Sequence, residues 1–241
     1  MAEQDIPVWG TPEPLGDPGD SPQPAPAWGT PQPPAPAGPP STPATDPRLT
    51  PVLATVLGTH SEIEVSEHRD FFGQGGYEIL TPEGSRVASL TRQASATTMI
   101  FGDLSSSRFL LHDDTGVLAA ELIRAGSLGG TMAFELYDRL GGQLATIEQE
   151  NLMFAPRLRV HGPDGARLRM IGGAWGNSDR FEVVDGADDT LVLATLRERS
   201  NGMFSGTQRF RIRFVPGLTP VQRFVVAITA ICMDQARDRK K

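Results

Sequence analysis

The sequence predicts a mainly β fold: a closed twelve-stranded antiparallel β-barrel around a central hydrophobic C-terminal α-helix. Three observations predict it. A unit made of an alternating strand, a turn rich in Gly, Asp or Pro, and a second alternating strand recurs five times. One further alternating segment precedes the repeats and another follows them. The chain then closes on a short stretch that is apolar on every side.

The first element is a tail. Fifteen of the 21 prolines lie in residues 1–50, together with six acidic residues and one basic one, Arg48. Large aliphatic side chains are few there, so burial cannot offset the entropy of ordering. Residues 1–50 are therefore expected to be disordered, and residues 51–241 to form one domain. Within the tail, PVWGTPEP (residues 7–14) is echoed by PAWGTPQP (residues 26–33), and Trp9 and Trp28 are two of the three tryptophans. Proline pre-extends a chain and lowers the entropy lost on docking. The repeat reads as a two-copy binding motif for a protein partner; duplication inside a linker is the alternative.

The domain begins with a strand at Glu62–Glu67 (EIEVSE). Hairpins follow from Tyr77, Phe109, Phe134, Leu158 and Phe181, and a last strand, QRFRIRF, occupies Gln208–Phe214. Alternation is the period of a half-buried strand, and glycines at 84, 116, 142, 165 and 186 are placed to supply the positive φ of tight turns. The unequal spacing of the hairpins argues for a closed barrel over repeated blades.

The last element is the helix. Thr219 is placed as its N-cap and Pro220 at its first position. Phe224 to Met233 carries no charge, so the helix should be buried all round, with Phe224, Val225, Ile228, Ile231 and Cys232 in the core. Ten residues of helix span roughly 15 Å, against about 30 Å for a bilayer core, so a transmembrane span is not expected. A twelve-stranded barrel is too wide for its own side chains to fill, and such a helix would fill it.

Charge and cysteine content exclude several classes. The whole chain is acidic, with a formal net charge of −7, which argues against a nucleic-acid partner; without the tail 23 acidic residues face 21 basic ones, so most of that charge belongs to the tail. A lone cysteine, Cys232, excludes an intrachain disulfide framework and a cysteine-based zinc cluster, and fits a reducing cytoplasm. The start MAEQDIPVWG has no basic segment followed by an apolar run, so no secretory signal is expected.

The order of elements over about residues 55–236 resembles the tubby C-terminal-like superfamily, in particular its phospholipid scramblase and LURP-one-related branch. The stretch that carries the resemblance most specifically runs through the hairpin FEVVDGADDTLVLATLRER, the linker SNGMFSGTQRF, the strand RIRF and the segment PGLTPVQRFVVAITAICMD. The resemblance implies a twelve-stranded barrel around its C-terminal helix and a phospholipid partner. Two departures limit what it carries over. Animal-type scramblases have a palmitoylated cysteine-rich segment, and Asn151–Pro156 and its surroundings contain no cysteine. They have an acidic calcium-binding stretch before the last helix, and Ser205–Leu218 contains no Asp or Glu. Calcium takes several oxygen ligands, usually with carboxylates among them. Neither calcium nor another cofactor is expected here.

Catalytic signals are weak. His60, His68, His112 and His161 share no metal-like spacing. Ser205 lies in GMFSG, which lacks the nucleophile-elbow order, and GQGG at residues 73–76 has no following lysine. Asp113–Asp114 and Asp188–Asp189 fall in turns, where Asp is common for local reasons. An enzyme is not expected.

The arginines carry the stronger signal. Alternation puts Arg209, Arg211 and Arg213 on one face of their strand. A three-residue loop at Pro163–Gly165 would put Arg159 opposite Arg169 and His161 opposite Arg167, with Arg157 on the same face. Like charges so placed repel. Either an anionic partner such as a lipid headgroup relieves this, or glutamates of neighbouring strands do. Arg239, Lys240 and Lys241 add a basic C-terminus, which suits either weak membrane recruitment or a solvated helix end. The expected function is phospholipid binding or transbilayer phospholipid movement by a scramblase-family protein, cytoplasmic and peripheral at the inner face of the plasma membrane. The alternative is a soluble LURP-one-like interaction module without lipid transport.

Overall fold

The computed structural model describes residues 46–69, 75–93, 106–125, 131–150, 157–162, 165–172, 179–200 and 208–238. A helix α1 (Pro51–Thr59) precedes twelve strands: β1 (Glu62–Arg69), β2 (Gly75–Leu80), β3 (Arg86–Gln93), β4 (Ser107–Asp113), β5 (Leu118–Arg124), β6 (Ala133–Asp138), β7 (Gln143–Gln149), β8 (Arg157–His161), β9 (Arg167–Gly172), β10 (Arg180–Asp185), β11 (Val192–Ser200) and β12 (Gln208–Phe214). Helix α2 (Pro220–Asp238) ends the fold. Each strand pairs antiparallel with its neighbour in sequence, and β1 closes the barrel by pairing with β12. The five hairpins read from the sequence are β2–β3, β4–β5, β6–β7, β8–β9 and β10–β11.

The hairpins close on short polar side chains. Asp138 Oδ1 accepts from Leu140 N at 2.7 Å and Gly142 N at 2.8 Å. Asp113 Oδ1 accepts from Thr115 Oγ1 at 2.6 Å and from Thr115 N and Val117 N at 3.0 Å each. Burial pushes the Asp113 carboxyl up, but hydrogen bonds from Thr115, Val117 and Thr50 outweigh it and hold the group below its usual range. Two turn glycines act differently from the sequence expectation. In β6–β7 the positive φ belongs to Gly141, not Gly142. Gly186 is needed for close approach: a Cβ there would lie 2.6 Å from Arg167 Cβ.

Two corrections concern the start of the domain. The folded residues extend before residue 51, since Leu49 is buried and Thr50 caps α1. Helix α1 itself is absent from the sequence reading, although Thr50 followed by Pro51 is a helix-start signature. The proline-rich composition reaching residue 50 hid it. Arg223 of α2 donates to the carbonyls of Leu57 at 2.7 Å and His60 at 2.9 Å, so a cation satisfies the end of α1.

Helix α2 starts in a reciprocal cap. Thr219 Oγ1 accepts from Gln222 N at 3.2 Å, and Gln222 Oε1 accepts from Thr219 N at 2.9 Å. Every residue from Phe224 to Asp234 is buried, and its apolar side chains share one cluster with the inward residues of the strands. Phe224, Val225, Ile228, Ile231 and Cys232 are all in it. The helix also takes a carboxyl group inside: Asp234 is fully buried, and the Tyr77 hydroxyl donates to its Oδ2 at 2.9 Å. Removing one partner of a buried hydrogen bond costs about 1–3 kcal/mol. Tyr77→Phe should therefore cost about that much in urea unfolding. A variant as stable as the parent would show that this bond does not hold the helix in place.

Among the described residues, no helix is long and apolar enough to cross a membrane. The large hydrophobic side chains left exposed among them are Val117, Leu118, Leu140 and Leu191, all in or beside hairpin turns.

Candidate functional site

Strand alternation builds the outer wall. On β12, Phe210, Ile212 and Phe214 are buried while Arg209 and Arg213 are exposed and Arg211 is half-buried. On β11, Ala194 and Leu196 are buried while Arg197 and Arg199 are exposed. Glu198 lies between those two arginines in sequence but points the other way, where it pairs with Arg237 of α2. Arg237 also stacks over Phe181, 5.3 Å from the ring centroid. The pattern Arg-Glu-Arg is thus split by the pleat. Its acid is spent inside the barrel and its two bases stand outside.

Register then gathers the bases. Arg180 of β10 is opposite Arg197 of β11, and Arg197 is opposite Arg211 of β12. Arg199 is opposite Arg209 in the neighbouring row. Directly opposed like charges destabilise a sheet. The acids at the flanks answer part of this. Glu62 of β1 holds Arg211 at 3.2 Å and Arg213 at 3.1 Å, Glu64 holds Arg209 at 3.3 Å, and Glu182 holds Arg180 at 3.0 Å. Arg197 and Arg199, in the middle strand, have no hydrogen-bond or ion-pair partner among the described residues. Beside them lies a depression of about 390 Å³, lined by Arg180, Arg197, Arg199, Arg211, Arg213 and Glu62.

The β8–β9 hairpin has the expected register, Arg159 opposite Arg169 and His161 opposite Arg167. Two of its arginines are answered within the protein, while Arg157 and Arg167 have no ion-pair partner among the described residues. Glu150 holds Arg159 at 2.6 Å and Arg169 at 3.1 Å, and Asp189 holds Arg169 at 2.6 Å. These bonds, Glu150 first, keep the Arg169 guanidinium more firmly protonated than usual. Arg157 faces Ile171 across the ladder, so it meets no opposed charge there. The Arg159–Arg169 repulsion that pointed to an external anion on this hairpin is relieved by Glu150 and Asp189, whereas on β11 neither Arg197 nor Arg199 has such an acid among the described residues. Arg180, Arg197 and Arg199 are the residues that reading single strands missed. The alternation around Arg197 and Arg199 is visible in the sequence; the partner that Glu198 meets on the other side is not.

The paired carboxylates serve turns and ion pairs. Asp113 closes β4–β5, Asp188 Oδ1 accepts from Thr190 Oγ1 at 2.6 Å, and Asp189 holds Arg169. The Thr190 bonds hold the Asp188 carboxyl below its usual range. Burial pushes the Cys232 thiol well up, so it stays protonated inside the barrel. No group of three or more His, Cys, Asp or Glu side chains that could hold a metal ion occurs among the described residues. Trp9, Trp28, residues 151–156, Ser205, Arg239, Lys240 and Lys241 lie outside the described residues. Comparison with protein-family models and with curated proteins finds no match to this chain.

Proposed function

We propose that this protein binds the anionic headgroups of a phospholipid surface through the outer face of β10, β11 and β12, as a scramblase- and LURP-one-like barrel acting peripherally at the inner face of the plasma membrane. The observation that carries the reading is the row Arg180–Arg197–Arg211, with Arg197 and Arg199 left without acidic partners among the described residues. An anion on this face would relieve a repulsion that the protein's own acids answer only at the edges. Binding fits the barrel better than passage of lipid through it. Helix α2 fills the interior, and the wall carries Arg–Glu pairs where a membrane-spanning barrel needs an apolar band.

The test is co-sedimentation of the full-length protein with phosphatidylcholine vesicles, with and without phosphatidylserine. Binding is expected only with the anionic lipid, and it should weaken as salt rises, because exposed charges are screened beyond about 8 Å at physiological ionic strength. Each basic residue near such a surface contributes about 1 kcal/mol. Arg197→Gln with Arg199→Gln should thus weaken binding roughly 30-fold, while Arg159→Gln with Arg169→Gln, whose charges Glu150 and Asp189 already answer, should change it little. Absence of binding to the anionic vesicles, or binding insensitive to salt, would remove the lipid reading and leave the interaction-module alternative.

A further inference from the structure

We propose that Arg197 and Arg199 form a seat for a phosphomonoester dianion, walled by Arg180 and Arg211. The inference rests on the lipid-surface reading for the source of its ligand, and narrows that ligand to one headgroup chemistry.

Charge matching is the first ground. The three acids on this face, Glu62, Glu64 and Glu182, are each engaged by a flanking arginine. Glu62 is shared by Arg211 and Arg213, so the six arginines of this face exceed its acids by a formal +3, and Arg197 and Arg199 are the two with no ion-pair partner among the described residues. A phosphate monoester carries about −1.5 to −2 near neutral pH. A phosphodiester carries a single charge and would leave one guanidinium facing its arginine neighbours uncompensated.

Geometry is the second. Residues two apart on a strand lie on one face about 6.6–6.8 Å apart. Two arginine side chains so placed run alongside each other and can bring both forks to one phosphorus. Guanidinium binds phosphate oxygens through paired N–H donors. A monoester offers three terminal oxygens to the two forks, a diester only two. The adjoining depression of about 390 Å³ has room for the group, and Arg211 is held in its wall by Glu62 at 3.2 Å.

The two sources of a monoester are a phosphatidate-type headgroup and a soluble phosphate ester. The full-length protein is titrated with phosphatidate vesicles and with phosphatidylserine vesicles matched for surface charge, and separately with glycerol 3-phosphate by calorimetry. The key variant is Arg197→Lys with Arg199→Lys, which keeps both charges and removes both forks. The parent should prefer phosphatidate about tenfold or more, glycerol 3-phosphate should compete, and the lysine variant should lose the preference while still binding phosphatidylserine. Unchanged melting of the variant confirms an intact barrel. Equal binding of the two lipids by the parent, or a preference that survives in the lysine variant, overturns the seat and leaves the lipid-surface reading standing. Binding of glycerol 3-phosphate without any vesicle binding keeps the seat, assigns it to a soluble ester and overturns the lipid-surface reading. No binding of any probe overturns both.

Discussion

Ile228→Asp is expected to yield no folded protein. Ile228 is fully buried in the middle of α2, between residues that are themselves buried on every side of the helix. A carboxylate there loses its water and gains no donor, a cost of several kcal/mol. Total domain stability is only about 5–15 kcal/mol. The same helix does tolerate an acid at Asp234, because the Tyr77 hydroxyl donates to it at 2.9 Å. Insoluble expression, or a soluble product without a cooperative melt, is the expected result. Ile228→Ala is the companion variant and should fold with a loss of about 2–5 kcal/mol. An aspartate variant that purifies and melts like the parent would show that α2 is not the barrel's core.

Phe224→Ala has the next largest expected effect. Phe224 is among the largest fully buried side chains of the domain, one turn into α2 from the Thr219–Gln222 cap. Its removal takes the transfer energy of a phenyl ring and leaves a cavity in walls that relax only in part, together about 3–5 kcal/mol. For a domain of this size each kcal/mol lowers the melting temperature by about 2–4 °C. Urea unfolding should show a lower midpoint with an unchanged slope, since the surface exposed on unfolding hardly changes. A loss below about 1 kcal/mol would mean that this end of the helix is loosely packed and that the fold does not depend on its being filled.

Most of the architecture was legible because it is written in short-range terms. Period-two alternation marks a strand wherever it falls, so the paired segments from Tyr77, Phe109, Phe134, Leu158 and Phe181 could each be read alone. The Thr219–Pro220 start and the uncharged run after it identify a buried helix in the same way. Helix α1 escaped because nine residues beginning at Pro51 adjoin the proline-rich tail, and composition outweighed the Thr50 cap. The glycine at 186 was read as a turn residue, yet its constraint is the Arg167 backbone and side chain packed against it, which no local pattern shows.

The candidate site divides along the same line. By itself the sequence determined which side chains share a face: Arg209 with Arg211 and Arg213, Arg197 with Arg199, Glu198 opposed to both. Pleat geometry needs nothing beyond neighbouring residues. Which charge answers which was decided only by the tertiary structure. Glu62 meets Arg213 across 151 positions of chain because β1 closes the barrel on β12. Glu150 and Asp189 reach Arg169 from either side of its strand, which quiets the Arg159–Arg169 pair that looked repulsive in isolation. Glu198 turns to Arg237 at the far end of α2, which leaves Arg197 and Arg199 as the open charges of β11. Coulomb energy depends on distance in space, and closure of the barrel sets those distances.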